Sequence, residues 1–175
     1  MQVNSFYPQK LDKSINLVDI VENRKFEIGI DLKMKKFVII LLFLPLWAQA
    51  YCFKEAGDRY GIEPSLLIAI AKTESSMNPN AKSPVGAIGL MQIYKSWFPT
   101  LQKRFGITEQ QLWQPCTNVM VGAWILANEF QQRGRNWNAI GAYNAACTKL
   151  KGIQCLRARQ KYANSVWRNL KLVKS

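Results

Sequence analysis

The sequence predicts a small all-α domain, and three observations lead there. After residue 52, apolar residues recur at helical spacing. No segment alternates apolar and polar residues as a half-buried strand would. The apolar-periodic segments stop at Gly61, at Asn78-Pro79 and at Gly134, residue types that end helices.

The chain before that point reads differently. Residues 34–52 are MKKFVIILLFLPLWAQAYC. Met34, Lys35 and Lys36 form a positive start, Phe37 to Trp47 an apolar run, and Ala48-Gln49-Ala50 a small-x-small site for cleavage. The run is too short for a membrane-spanning helix, which needs about 20 residues. A signal peptide over residues 34–50, cut after Ala50, is the expectation. Residues 1–33 hold five Lys/Arg and five Asp/Glu with no extended pattern. A leader normally starts within a few residues of its positive region, so translation is expected to begin at Met34, with residues 1–33 a mis-assigned upstream extension. Tyr51 stands where a lipoprotein needs a small residue before Cys52. The domain is then residues 51–175, exported to the periplasm.

Its elements follow in order. Phe53 to Tyr60 is a short helix ended by Gly61, and Pro64 suits the first turn of a helix running to about Met77. Asn80 to Gly89, rich in Ser, Pro and Gly, is a loop. Leu90 to Phe98 starts another helix, and Thr108 to Leu112 is a short one. Thr117 to Arg133 carries Val121, Trp124, Ile125 and Phe130 at helical spacing. Asn136 can cap a helix from Trp137 to about Ala146. A final basic helix is striped by Tyr162, Val166 and Leu170. Trp97, Trp113, Trp124 and Trp167 are expected in the core.

The whole chain has 24 Lys/Arg against 11 Asp/Glu; residues 1–50 account for 7 and 5, leaving 17 against 6, a net charge of +11. That balance favours polyanions, whether nucleic acid, anionic lipid or an acidic wall polymer. Export sets nucleic acid last. Cys52, Cys116, Cys147 and Cys155 all fall in the exported part, and an even count there points to two disulfides with three possible pairings. The favoured pairing staples Cys147 to Cys155 locally and ties Cys52 to Cys116. No His and no C-x-x-C is present, so a metal site is not expected.

Without His, Ser-His and Cys-His nucleophilic systems are excluded. No Gly-rich phosphate loop follows a strand. Acid–base work falls to six carboxylates, and Glu55, Asp58, Glu63, Glu109 and Glu129 sit in polar or segment-end contexts. Glu74 differs. At about 100° per residue, Leu67, Ile70 and Ala71 lie on its side of the helix and Lys72 on the other. Burial among apolar neighbours disfavours the ionised form and should raise its pKa. A carboxyl still protonated near neutral pH can protonate a glycosidic leaving oxygen. A buried Glu satisfied by hydrogen bonds or by an Arg would look the same from the helix alone.

Neighbouring stretches decide between these readings. Glu74-Ser75 is followed by SPVGAIGLMQI at 83–93 and IGAYNAA at 140–146. In this the sequence resembles the lytic transglycosylases, lysozyme-like domains that cleave bacterial peptidoglycan. Their Glu-Ser, Gly-Leu-Met-Gln and Ala-Tyr-Asn signatures occur here in that order. Size, leader and paired cysteines look most like the small single-domain members that accompany type III or type IV secretion, conjugation or pilus systems. The resemblance implies a lysozyme-like (goose-type) fold with a substrate cleft and Glu74 as the sole acid/base. It makes Ser83 a loop serine facing the N-acetylmuramic acid site, and Gly89, Leu90, Met91 and Gln92 a strip lining the sugar cleft. It also implies that Tyr143 and Asn144 are the Ala-Tyr-Asn pair, with the tyrosine hydroxyl approaching the catalytic carboxylate. Asn118 and Tyr162 fall where cleft-side helix residues occur. The other readings are that Met91 and Tyr143 are packing residues and that Gly86 and Gly89 are simple turn glycines. One departure is Ala145-Ala146-Cys147, where the family usually has Ala-Gly.

The implied chemistry needs neither metal nor cofactor: Glu74 protonates the β-1,4 glycosidic oxygen, then takes the 6-hydroxyl proton as a 1,6-anhydro ring closes. Glycan strands are the expected substrate, components of an export machine further partners, and a monomer the expected state. Competing readings are a hydrolytic goose-type muramidase, a non-catalytic wall-binding scaffold, and a cationic membrane-active protein.

Overall fold

A computed structural model describes residues 51–147 and 149–175. The expected leader and the upstream extension lie outside the described residues. The described chain is helical, with 3-10 turns and isolated bridges but no strand.

Helix α1 (Phe53–Tyr60) ends as expected at Gly61, whose φ of 61° is left-handed and whose N–H bonds the Gly57 carbonyl. The turn into α2 is tight: a Cβ on Gly57 would stand 2.6 Å from the Ile62 carbonyl oxygen. Helix α2 (Pro64–Ser75) begins on its proline. It stops two residues before the expected Met77, because Ser76 and Met77 both turn left-handed, at φ 53° and 66°. Neither is glycine, and each such residue costs about 1–2 kcal/mol. The strain sits immediately after Glu74-Ser75.

Residues 80–89 form the expected loop, pinned by bridges Lys82–Ile88 and Ile88–Ile93. Leu90 does not open a helix. Residues 89–92 are a turn, a 3-10 turn follows at Lys95–Trp97, and α3 (Phe98–Phe105) starts only there. The reason is tertiary: Ile88, Leu90, Met91 and Ile93 are almost wholly buried, so this apolar stretch folds inward as a packed loop. The expected helix at Thr108–Leu112 is a 3-10 turn at Gln111–Trp113.

Helix α4 (Pro115–Arg133) is the core element. Every residue from Thr117 to Ala127 is buried, so it is surrounded on all sides rather than striped. Met91 lies across Gly122, where an added Cβ would meet the Met91 Cβ at 2.7 Å. Trp97 and Phe105 stand edge-on to Trp124 at 5.5 and 5.2 Å. Helix α5 (Trp137–Asn144) is capped by Asn136, whose Oδ1 accepts from the Ala139 N–H at 2.9 Å, and ends two residues before Ala146. Helix α6 (Gly152–Lys174) packs against both α2 and α5. Tyr162 and Val166 face inward as the stripe predicted, but Trp167 is 46% exposed and leaves the expected core set.

The favoured cysteine pairing is the one present: Cys52–Cys116 ties the start of α1 to α4, and Cys147–Cys155 ties the loop after α5 to α6. The longer bridge spans 64 residues and restricts the unfolded chain most. Replacing both Cys52 and Cys116 by Ser should lower unfolding free energy by about 2–4 kcal/mol. Urea titration followed by circular dichroism reads this out; an unchanged midpoint would contradict it.

Candidate active site

Glu74 occupies the last turn of α2, partly buried. The Tyr162 hydroxyl, from the middle of α6, donates to its Oε1 at 2.6 Å. Beside it, Asn169 Nδ2 donates to Thr73 Oγ1 at 2.9 Å, and Thr73 Oγ1 donates back to the Ala69 carbonyl at 2.8 Å. These bonds join α2 to α6 at the carboxylate and fix where it points.

Burial pushes the Glu74 carboxyl above its ordinary 4.5, while hydrogen bonds from Tyr162 and Asn144 pull the other way and do not cancel it. Burial also raises the Tyr143 and Tyr162 phenols well above 10, with the Glu74 charge adding to both. Both tyrosines therefore act as neutral hydrogen-bond donors.

Tyr143 closes the site from the end of α5. Its hydroxyl feels the Glu74 charge but donates to the Met91 carbonyl at 2.8 Å. The direct bond to the carboxylate comes from Tyr162, while Tyr143 stands close enough for the Glu74 charge to act on its hydroxyl. Asn144 is exposed next to it.

The loop strip is brought to the site, but mostly through its backbone. Leu90 and Met91 have no exposed surface, so their side chains are core and not cleft lining. Gln92 is partly exposed at φ 48°, its Nε2 donating to the carbonyls of Gly89 at 2.9 Å and Ala81 at 3.2 Å. Gly89 needs to be glycine: its φ is 77°, and a Cβ would lie 2.6 Å from Asn118 Cγ. Asn118 cannot touch a sugar, being wholly buried. Its Oδ1 accepts from the Met91 N–H at 2.7 Å, and its Nδ2 donates to the Ile88 and Leu112 carbonyls at 3.0 and 2.9 Å. It braces the strip from below. Ser83 Oγ accepts from the Ala87 N–H at 2.9 Å and shapes its own loop. Ser75 Oγ donates back to the Ala71 carbonyl at 3.1 Å.

Two supporting residues escaped the sequence. Asn169 is one, and its signal was present: it lies seven residues, about two turns, beyond Tyr162 on α6. Arg159 is the other. It is buried, and its guanidinium donates from Nε to the Ala145 carbonyl at 3.1 Å and from a terminal nitrogen to Asn138 Oδ1 at 3.3 Å. With Cys147 at φ 59° and its disulfide, Arg159 holds the loop that lacks the usual glycine.

The remaining carboxylates are placed elsewhere. Asp58 pairs with Lys54 and Glu129 with Arg133, while Glu55, Glu63 and Glu109 are exposed. One partly buried carboxyl, its pKa raised by that burial, thus lies beside two neutral phenols, an amide and loop backbone.

A family model described as Transglycosylase SLT domain matches residues 51–166. The chain belongs to the SLT transglycosylase family. Among relatives of this SLT domain, the invasion protein IagB of Salmonella typhimurium is 38% identical over 144 residues, 79% of this chain and 87% of that protein. Protein IpgF of Shigella flexneri is 36% identical over 140 residues, 77% and 90% of the two chains. The X polypeptide of Escherichia coli is 39% identical over 150 residues, 81% and 87%. Among solved structures, the lytic transglycosylase Slt of Pseudomonas aeruginosa superposes with TM-score 0.59 at 26% identity over 72% of this chain. The 70 kDa soluble lytic transglycosylase of Escherichia coli gives 0.51 at 34% over 67%. This SLT domain spans only 24% and 20% of those two larger chains. The expected lysozyme-like helical fold is thereby shown.

Proposed function

We propose that this SLT domain is a peptidoglycan lytic transglycosylase in which Glu74 alone serves as acid and then base. The observation that carries the reading is the Glu74 carboxyl itself: partly buried, raised in pKa by that burial, and bonded at Oε1 by Tyr162. Two-carboxylate glycosidases need a second acid across the scissile bond. Here the other carboxylates are exposed or ion-paired.

With Oε1 engaged by Tyr162, the proton is carried on Oε2. It passes to the β-1,4 oxygen between N-acetylmuramic acid and N-acetylglucosamine, and the C1–O bond breaks. The muramic N-acetyl group supports the positive charge at C1. Glu74, now a carboxylate, is stabilised by the Tyr162 and Asn144 hydrogen bonds that favour the ionised form. It accepts the proton of the 6-hydroxyl as that oxygen bonds C1, closing the 1,6-anhydro ring. Protons balance, and no water enters. Asn144 and Gln92 supply amides at the groove edge for the N-acetyl sugars.

The periplasm is the place of action on this reading, supported by the leader-like residues 34–50 and by a family match that begins at residue 51. Local wall opening for an export or conjugation machine is supported by the relatives, one of them named an invasion protein. Mass spectrometry of soluble muropeptides from purified sacculi is the test. Products ending in 1,6-anhydromuramic acid are expected; reducing-end muramic acid would instead identify a goose-type hydrolase.

A further inference from the structure

The positive charge of this protein is not spread over it. Residues 130–175 contain ten Lys/Arg and no Asp/Glu, leaving residues 51–129 with 7 against 6. Thus +10 of the +11 belongs to the α5–α6 end. The outer face of α6 is also unusual for a soluble surface. Ile153 is 60% exposed, Leu156 54% and Trp167 46%, and Trp137 of α5, 43% exposed, packs edge-on against Trp167 at 5.5 Å.

These side chains are ordered around the helix. At about 100° per residue, Ile153, Leu156 and Trp167 fall within about 60° of one another. Arg157, Lys161, Arg168 and Lys171, all exposed, occupy the adjoining arc of about 80°. Lys171 also places its ammonium 5.5 Å from the Trp167 ring centre. An apolar strip therefore runs beside a cationic strip, over about 20 Å from Ile153 to Trp167 at 1.5 Å per residue.

From this we infer that the outer face of α6 is a docking surface for an anionic phospholipid bilayer. Tryptophan, leucine and isoleucine beside Lys and Arg are the composition of helices that lie in the membrane interface. Acidic headgroups answer a face that carries no acid of its own. The length of the strip suits a planar occupant. A second copy would bring the same cations together, and the two tryptophan rings, 79° apart, offer no common plane for a sugar. Among the described residues no helix is long and apolar enough to cross a membrane, so the contact is at the surface.

The orientation has a consequence for the enzyme. Tyr162 lies about 140–180° around α6 from Trp167 and Ile153. Docking by the outer face turns Glu74 and its groove away from the bilayer, toward the wall.

Co-sedimentation of the processed, exported protein with vesicles tests this independently of catalysis. Phosphatidylcholine vesicles containing phosphatidylglycerol should bind it, with a blue shift of tryptophan emission; pure phosphatidylcholine should not. Changing Arg157, Lys161, Arg168 and Lys171 to Gln should weaken binding at least about tenfold, as should Ile153→Ser with Trp167→Ser, each variant keeping its helical circular dichroism. Glu74→Gln should bind like the parent. Equal binding by the charge variant, or no binding to anionic vesicles, overturns the inference. Retention on sacculi or on an acidic protein in place of vesicles, lost in the same variants, would reassign the surface to that partner.

Discussion

Glu74→Gln is expected to reduce release of soluble muropeptides from sacculi by about 10²–10⁴-fold, the range for removing a positioned acid–base group. The amide keeps the shape and the acceptor oxygen for Tyr162 but has no proton to give at the glycosidic oxygen. A change of this same kind, glutamate to glutamine, is carried by the inactive Pseudomonas aeruginosa enzyme of similar fold. The variant should also be at least as stable as the parent. Since the folded pKa of Glu74 lies above its ordinary 4.5, the folded state holds a proton that the unfolded chain releases as pH rises. Stability is lost as pH rises from the unfolded pKa through the folded one, and stays lower above it. Glutamine does not titrate, so its advantage should be present at pH 8 and vanish below about pH 4. Activity should follow the same group, falling as pH rises through the folded pKa because the acid is then spent. Full activity of the variant would remove Glu74 from the chemistry; lower stability at pH 8 would mean that the carboxylate is structural.

Asn118→Ala should be the most damaging change away from the carboxylate. It strips the Met91 N–H and the Leu112 carbonyl of their partner in a fully buried place, while the Ile88 carbonyl keeps only the Ile93 N–H. Each of these two groups left unsatisfied costs about 1–3 kcal/mol, so about 2–6 kcal/mol of stability should be lost. For a domain whose total is about 5–15 kcal/mol, that is a large fraction. Urea unfolding measures it. A loss below about 1 kcal/mol, with substrate affinity weakened instead, would return Asn118 to the cleft.

Asn118 also shows where sequence reading stops. Its position on an apolar helix was legible, but its partners lie up to 30 residues away in a loop whose path is set by packing. The same loop explains the misread helix at Leu90: its apolar residues have helical spacing, yet they are buried by folding over Gly122 and Asn118. Local signals fared better where they act locally. Gly61, Pro64, Asn136 and Gly134 placed helix ends to within a residue or two, because a left-handed turn, a fixed φ or a cap needs no distant partner. Glu74 stood out from its own helix. Tyr162 does not: its spacing makes it part of a core stripe, the resemblance alone sets it at the cleft side, and only the packing of α6 on α2 brings its hydroxyl to a carboxylate 88 residues away. Trp167, just off the stripe of Tyr162, Val166 and Leu170, could have been recognised as outward-facing from spacing alone.

The reuse of one carboxyl as donor and then acceptor is tested most directly by digesting sacculi in H₂¹⁸O and weighing the released muropeptides. Closure of the ring by the sugar's own 6-hydroxyl predicts anhydro products free of ¹⁸O. One ¹⁸O at the muramic C1 of each initial product would show that water attacks and would contradict the account.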